Sequence, residues 1–430
     1  MCDTFVALKE VTANGSVLLA KNADTEINEA QHVLKLPRRD YPDGTLLRIT
    51  HIVIPQARRT HEVLIDKSFW LYGGEIGVNE HGVAVGNEAV FSTQAFASQK
   101  DGVVLIDILR LILERCADRH EAVELVSHLL DTHGQGGNCE LRGNSHFDGS
   151  FIVSDRTGAV VIETAGKEWA VKEVSGFGSI SNGYTIGRDW THCSIKANGS
   201  GRIDFQLVVG DPERARCVAA SERQGTSHDF LARHAGKITV RTMADLLRYT
   251  GEEDYEPHLG ELPRNICMHA APYPNRLWQA TGALISDSRG DDVMAWVTAT
   301  SGTDVSIFKP FFFGTELPDL GPMPRESFTP ASYWWRHEFL HRRAMADYRT
   351  LMPEIRHDFE RLEDSFFSDS KAVRNGASRE KQEFVDDCWR RADEACARWT
   401  TKLEQRNYFV HNDAYRAMWD EFNRAAALQL

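Results

Sequence analysis

Two stretches near the beginning of the chain decide its fold: Met1-Cys2-Asp3-Thr4-Phe5-Val6-Ala7-Leu8 and Val17-Leu18-Leu19-Ala20-Lys21-Asn22-Ala23-Asp24. Each contains a short apolar run, and the segment between them, Ala13-Asn14-Gly15-Ser16, is typical of a tight turn. The pattern predicts a β-hairpin that starts at residue 2. Such a hairpin brings the residues just past position 20 back beside residue 2.

Residue 2 of this hairpin is a cysteine that directly follows the initiator methionine. Removal of Met1 would place a thiol and a free α-amine on the same residue. The thiol is a nucleophile, and the amine, with a pKa near 8, can take its proton without a histidine. A cysteine at position 2 can also be incidental, so the remaining sequence must distinguish the two interpretations.

Lys21 and Asp24 supply what an N-terminal nucleophile needs, at the distance that the hairpin sets. A cation near a thiol lowers the thiol pKa, and a carboxylate can orient the α-ammonium group. The same residues are also typical of a polar turn after a strand. By themselves they are a weak signal.

Composition narrows the class of protein. The 430 residues carry a formal net charge of −13, which argues against nucleic acid or an anionic membrane as the main partner. We find no secretory signal and no apolar run long enough to span a membrane, so we expect a cytoplasmic protein. The eight cysteines form no CxxC pair, and in a reducing compartment we expect free thiols.

The order of predicted elements indicates an α+β protein. Strand-like runs fill the first 90 residues, helical periodicity occupies residues 102–132, and strands return at 150–186 and 294–313. Runs of strands that alternate with pairs of helices favour a layered architecture over regular βαβ units. From about residue 331 the chain becomes helical and highly charged, which indicates a helical extension packed on the core.

Three asparagines lie at the ends of predicted strands. Asn79 and Asn87 flank one short strand, and Asn182 follows another. An asparagine side chain can donate to the oxyanion that develops during acyl transfer. It can equally serve as a turn residue, and for Asn79 the turn is a serious rival.

Together these motifs resemble the secernin and C69 dipeptidase family. The resemblance covers roughly residues 2–345 and rests on many ordered motifs rather than on one. They are Cys2–Leu8, Lys21–Asp24, Asn79–Val90, Glu163–Gly166, Ile180–Asn182, Ile266–His269, Thr281–Gly282, Ser306–Pro310 and Trp334–Glu338.

The resemblance implies an N-terminal nucleophile (Ntn) hydrolase related to penicillin V acylase and bile salt hydrolase. The implied fold is a four-layer αββα sandwich of two mostly antiparallel sheets, formed by residues 2–345, with residues 346–430 as a helical C-terminal extension. Cys2 would be the nucleophile, Lys21 the cation near the thiol and Asp24 the partner of the α-amine. The oxyanion and structural asparagines map to Asn79 or Asn87 and to Asn182. Arg216 is the candidate for a late arginine of the acylase relatives, and no metal or organic cofactor is implied.

A competing motif lies near the end of this region. His337-Glu338-Phe339-Leu340-His341 fits H-E-x-x-H, the helix of zinc peptidases. The following residues offer no third ligand at the usual spacing, and two tryptophans and an arginine crowd the start of the helix. We therefore favour a helix-packing role over zinc binding. Farther upstream, His269 is expected to be a buried histidine or to line the substrate pocket.

The sequence therefore predicts a cysteine Ntn hydrolase that cleaves an amide bond of a small substrate, a dipeptide or an N-acyl amine, after Met1 is removed. A non-catalytic, secernin-like binding or regulatory protein is the main alternative, and an H-E-x-x-H zinc peptidase is the lesser one. We expect no nucleic-acid or membrane partner, and a homo-oligomer remains open.

Overall fold

A computed structural model describes residues 1–94, 96–98, 100–196, 201–251, 255–259, 264–272, 276–406, 410 and 412–430 of the protein. The strands are β1 Asp3–Ala7, β2 Val17–Glu26, β3 Gln31–Leu36, β4 Arg39–Asp40, β5 Leu46–Arg48, β6 Val53–Pro55, β7 Arg59–Thr60, β8 Val63–Ser68, β9 Ile76–Asn79, β10 Ala84–Val90, β11 Asp148–Ser154, β12 Ala159–Ala165, β13 Glu168–Glu173, β14 Phe177–Ile180, β15 His192–Cys193, β16 Trp278–Arg289, β17 Asp292–Val297 and β18 Lys309–Phe312.

The α-helices are α1 Leu105–Arg115, α2 Arg119–His133, α3 Phe205–Val209, α4 Pro212–Cys217, α5 Ala220–His234, α6 Val240–Leu247, α7 Tyr333–Ala346, α8 Tyr348–Val373, α9 Ser378–Glu404 and α10 Asp413–Ala425. Short 3₁₀ helices lie at Pro257–Leu259 and Thr303–Val305. No helix in the described part of the chain is long and apolar enough to cross a membrane.

Two antiparallel sheets form the centre of the molecule. One has the strand order β14-β1-β2-β16-β17-β18, and the other has the order β15-β13-β12-β11-β10-β9-β8-β3. Helices α1 and α2 cover the outer face of the second sheet, while α5, α6, α8 and α9 contact the first. The predicted α+β class, with a four-layer αββα sandwich and C-terminal helices, is therefore confirmed.

The hairpin of β1 and β2 lies in the interior of the first sheet. The turn uses Gly15 at a positive φ of 74°, where an L-residue would be strained. β1 and β2 pair with Thr4 opposite Lys21 and Asp3 opposite Asn22, so Cys2 lies beside Asp24 as the hairpin predicted. Between the sheets, a Cβ on Gly86 would come within 2.5 Å of Thr4, which allows β10 to pass close to β1.

The structure differs from the predicted elements at two places. Within the strand-like first 90 residues, the apolar run at residues 48–54 is not one strand but belongs to two short ones, β5 and β6, that form their own ribbon. The longest strand, β16, lies between residues 186 and 294, where the sequence pattern predicts no strand. Its buried residues include the polar Gln279, Thr281 and Ser286, so the apolar alternation expected of a strand is missing.

The C-terminal helices pack on the first sheet and share its hydrophobic core. The Trp389 side chain of α9 donates a hydrogen bond to the carbonyl of Pro310 in β18, at 3.1 Å. Arg374, directly after α8, pairs with Asp287 in β16 at 2.5 Å. The division into a core of residues 2–345 and an extension of residues 346–430 stays a prediction.

Candidate active site

A cavity of about 380 Å³ opens beside Cys2, where β1 begins and β2 and β10 end, near the loops that precede β11 and follow β14. Its lining residues are Met1, Cys2, Asp24, Thr25, Glu26, Glu29, Leu71, Glu75, Asn87, Ala89, Phe91, Leu105, Ile106, Cys139, Glu140, Ser145, Phe147, Asn182, Arg214, Cys217, Val218 and Trp278. This volume is within the range of small-molecule sites. Of the predicted site residues, Cys2, Asp24, Asn87 and Asn182 meet at this cavity.

Cys2 is held on both sides by backbone and amide groups. The backbone N–H of Asp24 points to the Cys2 Sγ at 3.3 Å, and the Cys2 backbone N–H donates to Oδ1 of Asn182 at 3.0 Å. Burial raises the pKa of the Cys2 thiol to about 11, although Lys21 and the N-terminus lower it. With Met1 in place, the thiol therefore needs a nearby base to become a nucleophile.

Asp24 presents a buried carboxylate at the position expected for the partner of an α-amine. The residue is 4% exposed, and neither carboxylate oxygen has a hydrogen-bond partner among the described residues. Burial raises its pKa to about 8, whereas the positive N-terminus lowers it. The amino group of Met1 lies 3.5 Å from the backbone oxygen of Asp24. A buried carboxylate without a partner is costly, which indicates a site that a cation completes.

Lys21 is buried near the cavity, and its ammonium group donates three hydrogen bonds. Its Nζ donates to the backbone oxygen of Glu75 at 2.6 Å, to Oε2 of Glu75 at 3.1 Å and to Oδ1 of Asn87 at 2.8 Å. Burial alone would lower the pKa of Lys21, but Cys2, Glu75 and Glu88 raise it above its usual value. Lys21 therefore stays charged, and its charge favours the thiolate of Cys2.

The contact with Lys21 also fixes the orientation of the Asn87 amide. An ammonium group can only donate, so the atom of Asn87 that meets it must be the oxygen. The Nδ2 group of Asn87 is left without a partner in the described part of the chain, and the residue lines the cavity. Asn87 thus offers a free donor next to the nucleophile.

Asn182 is engaged on both of its amide groups. Its Oδ1 accepts from the Cys2 N–H and from Arg223 at 2.5 Å, and its Nδ2 donates to the carbonyl of Ala89 at 2.8 Å. Its contacts position Cys2. The two asparagines therefore differ in chemistry, because only Asn87 has a donor that is free for a ligand.

Arg223 is the buried arginine of this site, and the sequence analysis missed it. It pairs with Asp3 at 2.5 Å, donates to the backbone oxygen of Cys2 at 3.3 Å and holds Asn182. The proposed Arg216 instead lies exposed on α4, outside the residues that line the cavity. The two arginines are seven positions apart, and no local pattern marks the one that α5 turns inward.

Asn79 does not reach the cavity. Its Nδ2 donates to the carbonyls of Leu113 and Cys116 at 3.0 and 2.8 Å, and its Oδ1 accepts from the N–H groups of His81 and Val83. It closes a turn and satisfies carbonyls at the end of α1. These contacts agree with the role of a turn residue, which the sequence left open as the alternative for Asn79.

His269 is buried and is not among the residues that line the cavity, which agrees with the first of its two expected roles. Its Nε2 pairs with Oδ2 of Asp304 at 3.0 Å, and the Tyr348 hydroxyl donates to the same oxygen at 2.7 Å. Cys267 lies within 4.8 Å of both ligand atoms, so Cys267, His269 and Asp304 form one group with metal-binding side chains, and His61, Glu80 and His81 form another. These are the two such groups found among the described residues, and in the second Glu80 is already paired with Arg38.

The H-E-x-x-H residues of α7 form an ion-pair network. Glu338 accepts from Arg342 at 2.7 Å and lies 3.3 Å from Nδ1 of His341. Arg342 also donates to Asn28 at 2.6 Å and to Asn423 at 2.7 Å. The network connects α7 to α10 and to the turn after β2, and the three motif residues are not among the groups of metal-binding side chains in the described chain.

No protein-family model matches the chain. Two structures of the conjugated bile acid hydrolase from Clostridium perfringens are similar to it at 12% identity, with TM-scores of 0.44 and 0.42; they cover 73% and 72% of this chain and 92% of their own. The Caenorhabditis elegans ortholog of N-acylethanolamine-hydrolyzing acid amidase has 14% identity and a TM-score of 0.34, and covers 66% of this chain and 92% of its own. At these values no residue role is transferred, and the site is interpreted from its own geometry.

Proposed function

We propose that the protein is a cysteine Ntn hydrolase that cleaves an amide bond of a small substrate, a dipeptide or an N-acyl amine, in the manner of the C69 dipeptidases. One observation carries this proposal. The carboxylate of Asp24 is buried beside residue 2 without a hydrogen-bond partner among the described residues, and the α-ammonium group of Cys2 would supply that partner once Met1 is removed. The proposed site of action is the cytoplasm.

Activation begins with the loss of Met1, which converts the amide nitrogen of Cys2 into an amine. Asn182 already accepts from this nitrogen at 3.0 Å, and Asp24 gains a positive partner in its ammonium form. The neutral amine takes the thiol proton, directly or through one water molecule. Lys21 stabilises the thiolate that results.

The thiolate then attacks the carbonyl carbon of the substrate amide. The carbonyl π electrons move to the oxygen, and the Nδ2 group of Asn87 donates to the oxyanion. The α-ammonium gives its proton to the leaving nitrogen, the C–N bond breaks, and a thioester forms on Cys2. Lys21 holds the oxygen of Asn87 throughout, so the donor is oriented before the reaction begins.

Hydrolysis of the thioester returns the enzyme to its first state. The α-amine takes a proton from water, the hydroxide attacks the acyl carbon, and the Cys2 sulfur leaves as a thiolate. That thiolate recovers its proton from the ammonium group. Cys2, its own amine and Asn87 supply every group that these steps require.

The test is a panel of dipeptides and N-acyl amino acids, with the Cys2→Ala variant as the control. We expect hydrolysis by the wild-type protein and none by the variant, while a chelator leaves the rate unchanged. Hydrolysis that the chelator abolishes and the variant retains would favour the zinc alternative. The absence of turnover across the panel by wild-type protein without Met1 would contradict the proposal and favour a binding protein.

A further inference from the structure

Carboxylates form part of the lining of the cavity, and one of them, Glu140, comes from the loop before β11. Asp24, Glu26, Glu29 and Glu75, which we call the acidic wall, come from the end of β2, the turn after it and the residue before β9. Glu75 pairs with Lys21, and Asp24 has the role proposed above. Neither Glu26 nor Glu29 forms an ion pair with a basic side chain in the part of the chain that the structure describes, although Arg142 lowers the pKa of Glu26 and donates its backbone N–H to Oε1 of Glu26 at 3.1 Å.

Glu29 is the buried member of this pair, with 5% of its surface exposed. Its Oε1 accepts from the Trp70 indole at 2.8 Å, and the Glu26 backbone N–H points to its Oε2 at 3.4 Å. Burial, together with the nearby carboxylates Glu75 and Glu26, raises the pKa of Glu29 to about 7, against the lowering effect of hydrogen bonds from Ser68 and Trp70.

Apolar side chains form another part of the lining. They are Leu71, Phe91, Leu105, Ile106 and Phe147. Arg214 is the basic side chain among the described lining residues, and it stacks on Phe91 with its guanidinium carbon 4.3 Å from the ring centroid. A ligand that fits this cavity therefore meets both carboxylates and hydrocarbon side chains.

We infer that Glu29 is the specificity-determining residue of this cavity, and that the substrate carries a positively charged nitrogen that binds to the Glu29 carboxylate. This inference rests on the proposed function, since it concerns the same cavity. The ammonium group would supply the charge partner that Glu29 lacks, and the apolar residues of the lining would contact a hydrocarbon side chain of the substrate. Charge-assisted hydrogen bonds of this kind are the stronger ones in proteins. An acyl group without a cation would leave the carboxylate buried and unpaired, which is costly.

A matched pair of substrates tests the inference without any variant. Leucylglycine and 4-methylpentanoylglycine differ by one ammonium group, and we compare their kcat/KM values. We expect the ammonium substrate to be favoured by at least about tenfold, the value of one charge-assisted hydrogen bond. Equal values for the two substrates, or a preference for the neutral one, would overturn the inference while the proposed function stands.

The Glu29→Gln variant assigns the effect to this residue. We expect the ratio of the two kcat/KM values to fall about tenfold or more, mainly through the KM of leucylglycine. The exposed Glu124 on α2 provides the control, and Glu124→Gln should leave the ratio unchanged. A ratio that Glu29→Gln retains would overturn the assignment.

Equilibrium binding separates this inference from the proposed function. Leucinamide and 4-methylpentanamide are titrated into the Cys2→Ala protein in a calorimeter. Tighter binding of leucinamide, lost in the Cys2→Ala/Glu29→Gln variant, supports the cation site even if the wild-type protein hydrolyses neither dipeptide. Equal binding of the two amides, or the absence of binding by either, overturns it.

Discussion

Two sets of buried carboxylates in this protein have opposite surroundings. In α7, Glu338 lies between Arg342 and His341; burial would raise its pKa, but the interactions with Arg342 and His341 hold it well below its usual value. In the acidic wall, burial raises the pKa of Asp24 to about 8 and of Glu29 to about 7. Glu338 has its ion-pair partner within the chain, whereas Asp24 and Glu29 have no ion pair with a basic side chain among the described residues.

This difference gives the two sets different roles. A paired buried carboxylate stabilises the packing of its own helix, and its loss leaves a cation without a partner. Carboxylates with perturbed pKa values in a cavity are typical of functional sites. We therefore expect the network around Glu338 to stabilise the fold, and we propose that the acidic wall and Cys2 take part in substrate binding and catalysis.

The largest expected effect is at Cys2. Cys2→Ala should lower kcat/KM by at least about 1,000-fold, because the variant lacks the nucleophile and only binding and oxyanion contacts remain. Rates are measured on the best substrate of the panel, and the melting temperature of the variant serves as the control for folding. A variant that keeps a tenth of the wild-type rate would contradict the assignment of the cavity.

The next effect is on stability, at Glu338. Glu338→Gln leaves Arg342 buried with its charge partner removed, and we expect the free energy of unfolding to fall by about 3–5 kcal/mol. Denaturant titration measures this change. The matched control is Glu394→Gln, which removes an exposed pair with Arg390 and should cost less than about 1 kcal/mol. A loss of activity in the folded Glu338→Gln protein, accompanied by loss of bound zinc, would restore the zinc alternative.

Asn87 and Asn79 allow a cavity residue to be compared with a buried structural residue of the same type. Asn87→Ala should lower kcat by about 100-fold to 1,000-fold, the usual effect of removing one oxyanion donor. Asn79→Ala should destabilise the protein through the carbonyls it leaves unpaired, with little change in kcat of the folded enzyme. Steady-state kinetics together with thermal unfolding measure both. The opposite pattern would show that the oxyanion donor lies elsewhere.

The smallest expected effect is the dependence of stability on pH at Glu29. Its pKa rises from 4.5 to about 7 on folding, so the folded protein holds the proton more tightly than the unfolded chain. Stability is therefore lost as the pH rises from about 4.5 through 7, and Glu29→Gln removes this loss. We expect the variant to be more stable than the wild type by on the order of 1–3 kcal/mol at pH 8, with little difference near pH 4.

Denaturant titrations at the two pH values measure this difference, with Glu124→Gln as the control. A Glu29→Gln variant that is less stable than the wild type at pH 8 would contradict the absence of a charge partner. If the same variant also loses the preference for ammonium substrates, the charge of Glu29 lowers the stability of the protein and contributes to substrate recognition, a combination that is common at functional sites.

The sequence could predict the hairpin, the layered α+β architecture and the meeting of Cys2 with Asp24, because a tight turn sets that distance locally. It could not find Arg223, since its contacts with Cys2 and Asn182 join residues that are 221 and 41 positions apart. Nor could it separate Asn87 from Asn79, because both end strands and differ only in what surrounds them. The H-E-x-x-H pattern shows the opposite outcome. Its sequence is typical of zinc peptidases, but in the structure its residues connect α7 to the neighbouring elements.

The most direct test of the account is the intact mass of the protein quenched during turnover. The account predicts a chain without Met1 that carries one acyl group on Cys2, and the adduct should disappear when the substrate is exhausted. Two results would contradict the proposal that Cys2 acts through its own α-amine. One is catalytically active protein that retains Met1. The other is hydrolysis by the wild-type protein without any adduct, even with a substrate whose acyl-enzyme is hydrolysed slowly.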